Sequence, residues 1–98
     1  MIYHKYFENA KEFITESRRF GIPEDNIQHE LSHYNEAINL GYRLVFKILF
    51  IPKRAYIEFN LNEIIRDEDI IKISLAPKNP SKFDLTMAEE AKQRLKAK

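Results

Sequence analysis

Across 98 residues, 16 Lys and Arg balance 15 Asp and Glu to a formal charge of +1, so no broad cationic surface points to nucleic acid. There is no cysteine, which excludes disulfides and thiolate metal sites and leaves histidine and carboxylate as the available metal ligands. The length suits one domain, 1–98, with a modest core; without a membrane-length apolar run or a signal-peptide pattern, the expectation is a soluble cytoplasmic protein.

Tyr3 to Arg19 reads as a first helix, with Tyr6, Phe7, Ala10, Phe13 and Ile14 as its apolar face. Gly21-Ile22-Pro23-Glu24-Asp25 ends that helix and starts another: glycine suits the residue after a helix, proline a first turn, and two acids the helix dipole. Ile27, Leu31, Tyr34 and Ile38 recur at helical spacing as a buried stripe, and Gly41 after Asn39-Leu40 is the expected left-handed cap. Tyr42 to Ile51 is rich in β-branched and aromatic residues and reads as a strand. Pro52-Lys53-Arg54 is a short connection, and Ala55 to Leu61 alternates as the second arm of a hairpin. Asn62 to Asp67 reads as either a helical turn or a loop. Ile71, Ile73 and Leu75 alternate with Lys72 and Ser74, which predicts a third strand ending before Pro77. Pro77-Lys78-Asn79-Pro80 is a rigid bend, and a final helix runs from Ser81 to about Leu95. The predicted class is therefore α+β: two N-terminal helices, a three-stranded, mostly antiparallel sheet and a C-terminal helix.

Chemistry enters at His29-Glu30-Leu31-Ser32-His33. On a helix, positions i and i+4 lie one above the other, so both imidazoles of H-E-x-x-H can reach one metal ion. Glu30 then stands where a general base takes a proton from water at the metal, which makes it the candidate catalytic residue. With 3 His and 11 Glu in the chain, chance alone produces the pattern at roughly one per cent. The bland alternative is an amphipathic helix with two surface histidines. Placement in mid-helix beside an apolar stripe favours a metal site, with Zn2+ as the expected ion.

A third ligand must come from elsewhere. On the last helix Asp84, Ala88, Ala91 and Leu95 share one face, so Asp84 begins on the inward side, where a carboxylate needs a partner. Ser81-x-x-Asp84 is also a capping-box variant, which would give Asp84 a purely structural job. Glu90, near Phe83 and Met87, is ranked beside Asp84; Glu89, itself placed for a capping box with Thr86, ranks behind. Glu36 shares a face with both histidines but reads as a solvated or supporting residue. Tyr34, Tyr42 and Tyr56 are candidates for oxyanion support, with packing the commoner role. His4 reads as a surface histidine near a terminus.

With that motif on the second of two helices, followed by strands and a last helix, the chain resembles the minigluzincins, minimal zincin metallopeptidase scaffolds. The resemblance spans the whole chain, and its sharp sequence match is His29-Glu30-x-x-His33. It implies zinc, hydrolysis of peptide bonds in a peptide or protein substrate, a glutamate ligand on the last helix (here Glu90 or Glu89), and latency through a blocked cleft. Asp84-Leu85-x-x-Ala88 instead resembles the ligand-bearing segment of ATP-dependent membrane zinc proteases, which use aspartate. The basic tail, Lys92 to Lys98, is a candidate for folding over the site or a neighbouring molecule. The competing expectation is a non-enzymatic interaction module, a possible homo-oligomer whose histidines hold a structural metal or none.

Overall fold

Asn9 decides how the chain begins. Its side chain accepts the Glu12 N–H at 3.1 Å and so caps a helix that cannot extend further back. In the computed structural model, which describes residues 4–60 and 62–98, the preceding segment is a strand, β1 (His4–Phe7), and the helix α1 is Ala10–Arg19. The expected helix from Tyr3 is thereby corrected; Tyr3 itself, like the expected strand end Leu61, lies outside the described residues. Then follow α2 (Glu24–Asn39), β2 (Leu44–Phe50), β3 (Lys53–Phe59), α3 (Asp67–Ser74) and α4 (Lys82–Lys96). Gly21 and Gly41 take φ of +77° and +93° after α1 and α2, as their places in the sequence demand.

The described residues form an α+β fold with four helices and one antiparallel sheet in the order β1-β2-β3. The hairpin is present, though tighter than expected: Phe50 pairs with Lys53, leaving Ile51 and Pro52 as the turn. The predicted strand Ile71–Leu75 is instead the end of α3, with Leu75 as its C-cap. Its Ile–Lys–Ile–Ser–Leu pattern alternates, but Asp67, Glu68 and Asp69 fill a first turn and favour a helix through its dipole. Ile73 and Ser74 then turn inward together with Asp69 at helical spacing. The third strand is β1, which pairs with β2 through Phe7 and Phe46.

Helices α1 and α2 cover one face of the sheet. Phe13 of α1 stacks on Phe46 of β2 with centroids 4.2 Å apart, and Tyr34 of α2 tilts onto the same ring at 4.3 Å. Ile27, Ile48 and Ala55 complete this core. Further along, α3 packs on α2, and α4 packs on α3 rather than on the sheet. Asp69, almost fully buried, accepts from the Tyr42 hydroxyl and from Arg66 Nε, which pins the start of α3 to the end of α2. No described helix is long and apolar enough to cross a membrane.

Candidate metal centre

Helix α2 presents His29 and His33 one turn apart, with their Nε2 atoms 3.1 Å from each other. Asp84 arrives from the first turn of α4. Its Oδ2 lies 2.9 Å from His29 Nε2 and its Oδ1 3.2 Å from His33 Nε2. The capping box forms as well: Ser81 N–H donates to Asp84 Oδ2 at 2.9 Å and Asp84 N–H to Ser81 Oγ at 3.1 Å. The cap and the metal-ligand role, alternatives in the sequence, are compatible in one side chain, because the cap fixes the carboxylate that faces the histidines. Burial disfavours the Asp84 anion, but the Ser81 hydrogen bonds and both imidazoles outweigh it and keep its pKa below the usual range.

His33 fixes its own tautomer. Its Nδ1 lies 2.7 Å from the carbonyl oxygen of Ile73, which can only accept, so Nδ1 carries the proton. In neutral His33 the Nε2 lone pair therefore points at a carboxylate and at a second imidazole. His33 Nε2 and the Asp84 carboxylate both accept, so in this largely buried spot either a proton on His29 Nε2 or a cation must lie between them. A carbonyl behind one histidine is also the arrangement that orients metal-ligating imidazoles. Two zinc–nitrogen bonds of about 2.0–2.1 Å at a tetrahedral angle put their nitrogens about 3.4 Å apart, close to the separation found. His29, His33 and Asp84 each supply one donor atom within 4.8 Å of the others. This set fits zinc: two imidazole nitrogens and one carboxylate, with no thiolate needed.

Glu30 is half-buried beside this cluster. Burial, aided by the charge of Asp84, pushes its pKa up to about 7, against a hydrogen bond from the Ile57 backbone and the charge of Arg54. A carboxyl raised in the fold is stabilising while protonated and costs stability as pH rises from its unfolded value towards 7. In metal-free protein, Glu30→Gln is therefore expected to gain on the order of 1–2 kcal/mol over wild type at pH 8, after allowance for solvent screening. The gain should vanish near pH 4.5. Melting curves in chelator at the two pH values check this, and an equal gap at both would refute it.

The cluster lies on a cleft of ≈ 1020 Å³ between β3, α2 and the α3–α4 pair. Near the start of β3 its wall is polar, with Asn26, Lys53 and Arg54; near the end it is apolar, with Phe59, Ile65 and Ile70. Of the acidic candidates on α4, Asp84 alone joins the histidines. Glu90 and Glu89 are exposed, and Glu89 bonds Gln93 at 2.9 Å; Glu90 lies 240° round the helix from Asp84 and does not line the cleft. Glu36 is also absent from the cleft wall. Tyr34 packs in the core and Tyr42 serves Asp69, so of the three tyrosines only Tyr56 borders the cleft. His4 is exposed on β1 against Tyr6. The basic tail is not over the site: Arg94 Nε donates to Asp67 at 2.8 Å and Lys98 Nζ lies 3.6 Å from the same carboxylate, which ties the tail to the start of α3.

Two participants were not foreseen from the sequence. The Ile73 carbonyl behind His33 carries no side-chain signal. Asn26 does have one: it stands one helical turn before Glu30, on the same face. Its side-chain amide donates to Ala55 O at 3.2 Å and accepts from Ala55 N–H at 3.0 Å. Compared with protein-family models, curated proteins and solved structures, the chain finds no match.

Proposed function

We propose that the protein is a small zinc-dependent peptidase, with His29, His33 and Asp84 as metal ligands and Glu30 as general base. The carrying observation is the convergence of two imidazole Nε2 atoms and one carboxylate, with a second carboxyl of raised pKa beside them. A zinc ion held there supplies Lewis acidity, acidifying water and polarising a carbonyl. Glu30 takes a proton from the attacking water at its carboxylate and returns it to the nitrogen of the leaving amine, work that suits a pKa near neutrality. The Ile73 carbonyl holds the His33 ring in register, and the Ser81 cap holds Asp84. The resemblance to minigluzincins supports this reading through the motif; the aspartate ligand follows the second resemblance, to the ATP-dependent membrane proteases. Turnover of long chains should be low, since a frame this small offers few contacts beyond the site.

A structural metal in a non-enzymatic module is the second reading. It is favoured by the way α4 reaches α2 at this site, so that an ion would tie the α3–α4 pair to the body of the domain. Metal content and peptide hydrolysis separate the two. About one zinc per chain, lost in the His29→Ala/His33→Ala variant, is expected on either reading; Glu30→Gln should keep the zinc and lose hydrolysis if the protein is a peptidase. Failure to bind zinc even after loading sinks both, and zinc without hydrolysis of any peptide leaves the structural reading.

A further inference from the structure

Strand β3 is an outer strand, and α2 closes half of its free edge. Ala55 and Ile57 turn their backbone groups away from β2. Both polar groups of Ala55 are taken by the Asn26 amide, which stands in for a neighbouring strand. Ile57 faces Glu30. Phe59, two residues on, has the same outward phase, and no side chain among the described residues closes it. An extended peptide can therefore pair with β3 through the Ile57 carbonyl and Phe59, but it meets Asn26 at Ala55. From Ile57 to Ala55 is two residues, about 7 Å of strand.

The two ends also differ in chemistry. Beyond the open edge lie Phe59, Ile65, Ile70 and Ile73. At the closed end lie Lys53 and Arg54, the latter with its guanidinium 5.9 Å from the centroid of the Tyr56 ring, against one acid, Asp25. The neighbouring Glu24 is already paired with Arg18 at 2.7 Å. This end suits a carboxylate better than an amine. Antiparallel pairing, the direction used throughout this sheet and the slightly more stable one, sends a peptide's C-terminus to that same end.

We infer that the cleft, if it is a peptidase site as proposed above, is built to act on peptide C-termini. It takes chains with bulky apolar residues before the scissile bond and releases the last one or two residues, whose carboxylate meets Lys53 and Arg54. One water is consumed: its oxygen joins the acyl carbon, the C–N bond breaks, and the proton accepted by Glu30 passes to the departing amine. Asn26 is the end-stop that sets this geometry. It is a specificity-determining residue rather than a catalytic one.

The test pairs two fluorescent octapeptides with apolar residues at positions five and six, one a C-terminal acid and the other its amide. Binding is read by anisotropy on zinc-loaded Glu30→Gln protein, and products by mass spectrometry with wild type. The acid is expected to bind about tenfold tighter, the value of one charge-assisted contact. Lys53→Ala/Arg54→Ala, both at exposed positions, should erase the difference without lowering the melting temperature. Products should lack one or two C-terminal residues, and Asn26→Ala, checked for folding, should release longer pieces as well. Equal affinity for acid and amide, or internal cleavage by wild type, overturns the inference while leaving the peptidase reading intact. Zinc retention with no binding or hydrolysis of either peptide overturns the peptidase reading, and this inference with it.

Discussion

Zinc is expected to raise the melting temperature of the wild-type chain by roughly 10–20 °C when the free ion stands about a hundredfold above its Kd, and Asp84→Ala is expected to abolish that rise. Binding at that excess adds about 2.7 kcal/mol, and in a domain of this size each kcal/mol moves Tm by about 4–8 °C. Asp84 matters most because it is the only proposed ligand outside α2. Without it the two histidines retain a weak bidentate site, and α4 is no longer drawn to α2. The variant also loses half a capping box, about 1 kcal/mol of helix stability. Asp84→Asn separates the two roles: its amide oxygen can still accept the Ser81 N–H, so metal-free stability should stay close to wild type while the zinc-dependent rise is lost. Calorimetry of the three proteins with and without zinc decides the matter. An undiminished rise in Asp84→Ala would remove Asp84 from the ligand set and return attention to the carboxylates of α4 that the fold leaves exposed.

What the sequence made legible follows from how far apart the determinants lie. The α2 helix was readable because its start, motif and glycine cap all lie within twenty residues; the expected stripe was right at Ile27 but not at Ile38, which is exposed while Ala37 beside it is buried. The hairpin was readable because an apolar, aromatic-rich run and an alternating run flank a proline turn. The error at Ile71–Leu75 has a clear cause: five residues with apolar side chains at 71, 73 and 75 read as a strand on their own, and the run of acids Asp67, Glu68 and Asp69 just before them favours a helix. The error at the N-terminus came from reading Tyr6 and Phe7 as the first turn of a helix, when Asn9 was the cap. At the site, the histidines and Glu30 were local, and helix phase correctly put Asp84 on the inward face. It could not rank Asp84 above Glu90, because that depends on where α4 meets α2. The Asn26 clasp and the Ile73 carbonyl depend on contacts between segments about 30 and 40 residues apart, and such pairings leave no periodicity to read.

Phe46→Ala is expected to be the most damaging single core substitution, with a loss of about 3–5 kcal/mol. Domains of this kind have only about 5–15 kcal/mol to lose, so Tm should fall by roughly 12–40 °C. The ring is fully buried, lies in the middle strand and carries both helices, Phe13 of α1 on one side and Tyr34 of α2 on the other. Removing it leaves a cavity that neither aromatic can fill without moving its helix. The consequence reaches the site, because Tyr34 follows His33 directly and Phe46 lies opposite Ile57, whose backbone faces Glu30. Zinc affinity should therefore weaken together with stability, although Phe46 touches no ligand. Ile64→Ala is the control: the side chain is 88% exposed and its loss should stay within about 0.5 kcal/mol. Urea unfolding of both variants, followed by zinc titration of the folded fraction, checks both halves of the expectation. If Phe46→Ala melted within a few degrees of wild type, the stacked aromatics would not be what holds α2 to the sheet. If it melted low but bound zinc as tightly as wild type, the α2–β3 packing would be irrelevant to the site.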